Sequence, residues 1–312
     1  METIRIGTRG SALARAQTAW VKRKLEEESP ELEVKTIVIK TTGDRFPDTP
    51  AVAIGGKGIF VKEIEEALLR DEIDLAIHSL KDLPAETPAG LVIATVPQRE
   101  DARDVLVSLN YSSLTDLPSG ARIGTGSPRR KAQILHHRKD LLVQPIRGNI
   151  DTRLKKLDRG DVDALILAAA GLKRMGLDQR ICEYLAPEIC LSAVAQGALG
   201  LEIRDGDAIK DEIAFLHHLP TALEIRAERA FLEHMGGGCL IPVGARAWLD
   251  EGKIRMMGVV ADIEGTKLLR ADVVGNATEP EALGKELAEN LLGRGGKQIV
   301  ASKQRQTLQE GP

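Results

Sequence analysis

The stretch IGTGSPRRKAQ, residues 123–133, repeats a pattern that occurs near the start of the chain as IGTRGSALARAQ, residues 6–17. Each copy runs from a β-branched residue through Gly and Thr to a serine, Ser11 or Ser127, that opens a helical segment. Serine is a preferred N-cap residue, and Pro128 suits the first helical position of the second copy. The chain is therefore predicted to build the same strand-to-helix turn twice, with arginine in both.

The segments around these two turns alternate between apolar strands and helices, which favours open α/β sheets with right-handed crossovers. Strands of a first round are predicted at residues 3–8, 34–41, 74–78 and 91–96. Beyond a polar link at 97–104, strands of a second round are predicted at residues 121–125, 141–146 and 163–172. A lone strand pattern at 198–204 is predicted to return to the first sheet, because a strand between two helical regions needs a partner.

The last third has a different pattern. Thr221 and Glu224 have the T-x-x-E spacing of a capping box, which predicts a helix from there to about Met235. Three strand-like runs (PVGARAWL, KIRMMGVVAD, TKLLRADVV) and a final helical run, EALGKELAENLL, follow. This order predicts a β-meander covered by helices.

Composition excludes several classes of protein. The 312 residues carry 43 basic and 46 acidic side chains, a net charge of −3, which argues against a nucleic-acid or membrane-surface binder. Aromatic residues make up 3%, too few for stacking platforms. Three cysteines do not form a disulfide framework, and neither a secretory signal nor a membrane-spanning run is visible. We expect a cytoplasmic protein.

Basic and hydroxyl side chains recur at the predicted strand ends. In open α/β sheets ligands bind beyond the carboxyl ends of the strands, and helix N-termini and arginines both favour anions. The sequence therefore predicts one cleft for a ligand with several negative groups; the alternative is that these are surface charges or structural ion pairs. The candidates are Arg9, Ser11, Lys57, Lys81, Ser127, Arg129, Arg130, Arg147 and Arg153.

Nucleotide and metal motifs fail on spacing. The loop GGKG is not a P-loop, and GTGSPR lacks the third glycine of a dinucleotide fingerprint. The pairs His136–His137 and His217–His218 lie in predicted helices without other ligands at metal spacing. We therefore predict no metal site.

Two residues differ from their surroundings. Asp82 is a carboxylate among cations, suited to stabilising a cation or passing a proton, or else a structural partner of Lys81 or an arginine. Cys239 lies in GGGCLIP, a glycine-rich loop, where it is either a nucleophile or attachment point or a structural cysteine. Spacing alone leaves both questions open.

With these motifs in place, the chain resembles the porphobilinogen deaminase (hydroxymethylbilane synthase) family over nearly its whole length. The matching segments are IGTRGSALARAQ, TTGD, GGKGIFVKE, HSLKDLP, GTGSPRR, IRGNIDTRLKKLD, AAAGLKRMG, AQGALGLE, AERAFL and GGGCLIPVG. The resemblance implies an α/β protein of three domains, two of them open sheets like the lobes of periplasmic binding proteins facing a cleft. It assigns residues 1–97 plus 195–217 to domain 1, 100–192 to domain 2, and 220–312 to a smaller α+β domain 3 with a three-stranded sheet.

The resemblance also implies an activity. Four porphobilinogen molecules would be condensed head to tail into the linear tetrapyrrole hydroxymethylbilane, with release of ammonia. A dipyrromethane cofactor, itself two porphobilinogen units, would be attached by a thioether to Cys239. The family is expected to act as a monomer on this small-molecule substrate, in tetrapyrrole biosynthesis.

Residue roles follow from the same resemblance. Asp82 would be the catalytic acid that protonates the departing amine and then stabilises the azafulvenium cation left behind. Phe60 and Lys57 would belong to a lid over the cleft. The positions implied to bind cofactor or substrate are Arg9, Ser11, Gln17, Lys57, Lys81, Thr125, Ser127, Arg129, Arg130, Arg147, Arg153, Arg174 and Gln196.

Two departures from the family pattern stand out. Ala53 occupies a position where a lysine is common, and Ala195 precedes Gln196 and Gly197 where G-Q-G is common. Two other functions compete: a two-lobed binding protein for a polycarboxylate, which leaves Asp82 and the GGGC loop without a role, and a nucleic-acid regulator, which composition disfavours. The crossings near 97–101 and 190–198 are predicted to act as hinges.

Overall fold

The computed structural model describes residues 3–45, 60–84, 87–236 and 242–300, with the Arg45 side chain excepted. Lys57 and Cys239, predicted above as a binding and an attachment residue, lie outside the described residues, as does the departure at Ala53.

Strands and helices alternate through the first two thirds of the chain. The strands are β1 Thr3–Thr8, β2 Glu33–Val38, β3 Leu75–Ser79, β4 Leu91–Thr95, β5 Asp104–Ser108, β6 Arg122–Gly124, β7 Leu142–Gln144, β8 Ala164–Ala168, β9 Glu183–Tyr184, β10 Leu199–Arg204, β11 Val243–Asp250, β12 Lys253–Ala261 and β13 Leu268–Asn276. The helices are α1 Ala12–Glu28, α2 Thr42–Arg45, α3 Lys62–Leu69, α4 Pro128–His137, α5 Ile150–Asp158, α6 Ala169–Arg174, α7 Ile209–Ile213, α8 Leu219–His234 and α9 Pro280–Leu291.

The first sheet has the strand order β2-β1-β3-β10-β4. β1 is parallel to β2 and β3, whereas β10 is antiparallel to both of its neighbours. The prediction that residues 198–204 return to this sheet is confirmed. Its core is built from apolar side chains such as Ile4, Ile6, Leu75 and Leu201.

The second sheet repeats this plan with the order β7-β6-β8-β5-β9. Its antiparallel strand is β5, which pairs with β8 and β9. The sequence predicts a link up to residue 104 and no strand in the four apolar-rich residues after it, because so short a run carries no periodicity. Each sheet thus receives its antiparallel strand from the chain that has just crossed from the other.

The third sheet is the predicted meander, β11-β12-β13, antiparallel throughout and packed against α8 and α9. The predicted capping box at its first helix is wrong. α8 begins at Leu219, two residues earlier than Thr221, with His218 Nδ1 accepting a hydrogen bond from the Thr221 amide at 3.3 Å. Pro220 fits the first turn, and Glu224 instead pairs with Arg246 of the sheet at 2.8 Å.

The two repeated turns form as predicted. Ser11 caps α1 by accepting from the Ala14 amide at 3.3 Å, and Ser127 caps α4 by accepting from the Arg130 amide at 3.4 Å. The apolar run at 163–172 was predicted as a buried strand running into a turn; the strand ends at Ala168, and the residues after it form the start of α6. None of the helices within the described residues has the length and apolar run that a bilayer span requires.

Candidate active site

A cavity of about 220 Å³ lies between the first two sheets. Its walls come from the turns that follow β1, β3 and β8 and from the start of α5, so both repeated lobes contribute. The predicted site residues that line it are Arg9, Ser11, Gln17, Lys81, Asp82, Arg130, Arg153 and Arg174. These eight side chains, scattered over 166 positions of sequence numbering from 9 to 174, meet at one place.

Asp82 and Lys81 lie on a single 3₁₀ turn directly after β3. Within the described residues the Asp82 carboxylate makes no hydrogen bond, and it is exposed to the cleft. Desolvation lowers the pKa of Lys81, and the charge of Asp82 opposes that shift. The carboxylate oxygens of Asp82 are therefore accessible to a ligand in the cleft.

The positive charges of Arg153 and Arg174 are not balanced by a hydrogen-bonded carboxylate in the described part of the chain. Arg153 donates from Nε to the Gly148 carbonyl at 2.8 Å, and Arg174 donates from Nη2 to the Gly197 carbonyl at 2.7 Å. Neither is hydrogen-bonded to a carboxylate among the described residues. Burial lowers the pKa of each to about 10. A buried cation without a carboxylate partner favours an anionic ligand.

The turn after β1 is tied to the segment expected to form a lid. Arg9 pairs with Asp44 at 2.6 Å, and its guanidinium lies 4.1 Å from the ring centroid of Phe60. Gln17 on α1 donates to Ser79 Oγ at 2.9 Å, which holds α1 against the end of β3. Phe60 itself does not line the cavity.

Asp104, which the sequence analysis missed, organises the second lobe. It is fully buried at the start of β5 and accepts from Arg129 Nη1 at 2.6 Å, Arg130 Nη2 at 2.7 Å and Gln196 Nε2 at 2.9 Å. Arg129 and Gln196 therefore lie behind the cavity and hold Arg130, which does line it. In the sequence Asp104 is one of several acids in a polar link, so no signal there distinguishes it.

Three more predicted residues lie outside the cavity wall. Thr125 is buried, and its Oγ1 accepts from the Ser127 amide at 3.2 Å. Ser127 is occupied as the cap of α4, and Arg147 is exposed. No group of His, Cys, Asp and Glu suited to a metal occurs among the described residues.

Fold and site together define a two-lobed α/β protein whose cation-lined cavity between the sheets suits a polyanionic ligand. The cation-rich donor set fits a group that carries acetate and propionate arms. Comparison with known proteins gives the particular family. Residues 4–212 match the family model "Porphobilinogen deaminase, dipyromethane cofactor binding domain", and residues 222–293 match "Porphobilinogen deaminase, C-terminal domain".

Curated relatives agree over almost the full length. The porphobilinogen deaminase of Thermus thermophilus is 51% identical over 96% of this chain and 99% of its own. That of Pelobacter propionicus is 50% identical over 95% and 96%. A solved methionine-binding protein, MetQ, is 11% identical over 80% of this chain and 99% of its own, with a TM-score of 0.43.

The chain belongs to the porphobilinogen deaminase family. It is an enzyme of tetrapyrrole assembly that condenses porphobilinogen, and its first two thirds form a dipyrromethane-cofactor-binding domain. The expected α/β architecture, with two open sheets and a small three-stranded sheet, is confirmed.

Proposed function

We propose that condensation takes place in the cavity between the two sheets, with Asp82 as its acid. The observation that supports this most strongly is the open carboxylate of Asp82 in a cavity whose lining includes Lys81 and four arginines, with Asp151 as its second carboxylate. In such a site the Asp82 carboxylate faces a substrate whose own carboxylates are held by the surrounding cations.

Asp82 has two tasks in this proposal. As an acid it gives a proton to the substrate amine, so that the C–N bond breaks and ammonia leaves. As a carboxylate it then stabilises the cationic carbon, which bonds to the free α-carbon of the neighbouring pyrrole. The displaced ring proton returns to the carboxylate and restores aromaticity. Fixed charges in a water-poor cleft stabilise such a cation without reorganising during the reaction.

The cations of the cavity bind the carboxylates of the substrate in this proposal. Each porphobilinogen brings two carboxylates, and Arg153, Arg174 and Arg130 line the cavity together with Arg9 and Lys81. Asp104 and Gln196 fix Arg130 in place, because they bond its guanidinium from the side opposite the cavity. We assign Arg129, Thr125 and Ser127 to supporting this wall, and we retain Arg147 as a binding candidate on the strength of the family resemblance.

Cys239 is the proposed attachment point of the dipyrromethane. When bound, that group supplies the pyrrole α-carbon to which the first substrate adds. Cavity cations lacking carboxylate partners, among them Arg153 and Arg174, match its acetate and propionate arms. We also propose that Lys57 and Phe60 belong to a lid; the contact between Phe60 and Arg9 supports a link to the cavity.

Replacing Asp82 with asparagine tests the catalytic assignment. Asp82→Asn should lower kcat by about 10²–10³, since an amide neither gives the proton nor balances the cation. Porphobilinogen consumption and product absorbance measure this. Asp116→Asn, an exposed carboxylate in the second lobe, is the matched control and should retain full activity. Equal rates for the two variants would contradict the assignment.

Intact-mass spectrometry tests the attachment point. Purified protein should exceed its encoded mass by two condensed porphobilinogen units, and Cys239→Ser should lack this excess. Protein at its encoded mass is then incubated with porphobilinogen. Failure of the wild type to gain the adduct would exclude the assignment, and so would an adduct on the serine variant.

We further propose a cytoplasmic monomer with domains 1–97 plus 195–217, 100–192 and 220–312. The three sheets support this division. Unbridged Cys182 and Cys190 fit a reducing compartment. Sedimentation velocity and cell fractionation test these points; a dimer or an exported protein would contradict them.

A further inference from the structure

A second cavity, of about 730 Å³, adjoins the candidate active site. Its walls are one side of α1, the first crossing at residues 98–100, and the end of α6. Arg174 lines both cavities, so the two meet at this side chain. We call the second cavity the α1–α6 groove.

The α1–α6 groove is rich in cations. Arg23, Lys173 and Arg174 line it, together with Arg99, whereas Glu100 is its one acidic lining residue in the described part of the chain. Arg99 is committed to buried Glu228 at 2.6 Å. The other three cations, Arg23, Lys173 and Arg174, retain N–H donors that a ligand can use.

The pairing of these three cations is weak. Arg174 donates to the Gly197 carbonyl and to no described carboxylate. Lys173 lies 3.4 Å from Glu100 and 3.7 Å from Asp101. Arg23 lies 3.7 Å from Glu27, and both side chains are largely exposed. The exposed pair of Arg23 with Glu27 contributes little, so a carboxylate ligand displaces it at low cost. Lys173 lies beside less exposed carboxylates, Asp101 being 14% exposed, and a ligand carboxylate would share this cation with them.

The same groove offers a surface for an aromatic ring. Trp20 lines it beside the small residues Ala16 and Ala19; its side chain is half-buried, and it also packs against the core of the first sheet. Aromatic rings pack against each other in offset or edge-on contact, and an indole is a large surface for that purpose. Cations beside an indole suit a planar ring that bears carboxylate arms.

Size gives a reason for a second cavity. The active-site cavity, at about 220 Å³, is smaller than the roughly 300–1,000 Å³ of a site for one drug-sized ligand. A dipyrromethane extended by four units is a chain of six rings with twelve carboxylates. Such a chain exceeds the first cavity, and its later rings need further cationic surface.

We propose that the α1–α6 groove is a subsite for the elongated chain, in which Arg23 and Lys173 bind carboxylates of the late oligopyrrole and Trp20 packs against one of its rings. This inference rests on the proposed function of the cavity beside it. Arg174, which lines both cavities, contacts the chain where it extends from one cavity into the other. The groove is assigned to the late additions, because each added unit brings two more carboxylates and the need for cationic surface beyond the first cavity is greatest for the longest chain.

The test is the distribution of covalent intermediates. Arg23→Gln/Lys173→Gln protein is mixed with increasing porphobilinogen, quenched, and analysed by intact mass. The first and second additions should proceed within about twofold of the wild-type rate, while species with two and three added units should accumulate at least fivefold, because the addition that follows each of them is slowed. Arg255→Gln/Lys285→Gln removes an exposed Arg and an exposed Lys from the third domain and is the matched control.

Each outcome decides between explanations. A double variant that matches the control overturns the subsite, and so does one in which every addition slows equally, since that indicates a structural defect. A wild type that shows no stepwise mass increase at all overturns the proposed function, and the subsite with it. Late accumulation in the double variant alone supports the subsite.

Tryptophan emission gives a second readout. The chain has two tryptophans, so Trp248→Phe leaves Trp20 as the single reporter. Its emission should change when the third or fourth unit is added and remain constant during the first two. Emission that stays constant through all four additions would overturn the assignment of Trp20.

Discussion

At the scale of the residue, Asp104 shows how a buried carboxylate determines what neighbouring arginines do. Arg129 and Arg130 are adjacent in sequence and equally suited to binding an anion, yet only Arg130 lines the cavity. Both guanidiniums pair with Asp104, which has no exposed surface. The two arginines hold the pKa of Asp104 well below its usual range, although desolvation opposes them. One negative charge therefore positions two positive ones and leaves a net positive wall.

Asp104→Asn should destabilise the protein by about 3–5 kcal/mol, because it leaves two buried guanidiniums without their counter-charge. Urea unfolding measures the loss. The matched control is Asp140→Asn, which breaks the exposed pair with Arg138 and should have little effect. Similar midpoints for the two variants would mean that Asp104 does not hold this wall.

The same carboxylate makes stability depend on pH. Because its folded pKa is depressed, its contribution is present above the unfolded pKa of about 3.9 and is lost as the pH falls below that value toward the folded pKa. The stability difference between wild type and Asp104→Asn should thus be constant from pH 7 to 5 and shrink below about pH 4. A difference that grows on acidification would reverse the sign of this argument.

At the scale of the element, the backbones of α8 and α9 are in close contact. A Cβ built on Gly284 of α9 would overlap the Ala227 carbonyl oxygen of α8, so the two helices have no room for a side chain there. The helical pattern EALGKELAENLL predicts α9 but not this contact, because a glycine inside a helix is usually expected only to lower the stability of that helix. Here it permits the approach.

Gly284→Ala should destabilise the third domain by about 1–3 kcal/mol, since the helices must separate to admit the methyl group. Thermal or urea unfolding measures it. Gly293→Ala, at a position with no atom within 4 Å of the added Cβ, is the matched control and should be neutral or stabilising. If Gly284→Ala were as stable as the control, the close helix contact would be wrong.

At the scale of the whole molecule, both crossings between the first two sheets are attached to the third domain. Buried Glu228 of α8 accepts from Arg99 of the first crossing and from the Ala195 amide of the second, each at 2.6 Å. It also accepts from the Ala247 amide of β11 at 2.9 Å. The third domain therefore serves as the base against which the two lobes are held.

We expect the lobes to move about these crossings as the chain grows, since the cavity between them is small. Small-angle scattering of trapped intermediates should show a radius of gyration that changes between the cofactor-only form and the form with four added units. Cys239→Ser protein, given the same substrate, provides the control without a covalent chain. Identical scattering for all intermediates would exclude this motion.

Local sequence patterns are sufficient to predict the turns, the meander and the strand-end cations of this protein. Period, caps and turn residues gave the repeated strand-to-helix turns, the meander and the cations at the strand ends, because these depend on neighbours within a few positions. The motifs HSLKDLP and GGGC identified the family. The assignments of Asp82 and Cys239 remain predictions, since the structure shows an open Asp82 in the cavity and does not describe Cys239.

Only the tertiary structure decided which cations face the cavity. Arg130 and Arg153 line the cavity. Arg129 and the neutral Gln196 do not line it, and both donate hydrogen bonds to Asp104, a carboxylate tens of residues away in sequence. The short run of β5 carries no periodicity, and its pairing with β8 identifies it as a strand. The start of α8 was misjudged because Glu224 pairs with Arg246 of the third sheet and not with the helix N-terminus. Charge partners in a fold are chosen by proximity in space and by the cost of burying an unpaired charge, and neither quantity is encoded in local spacing.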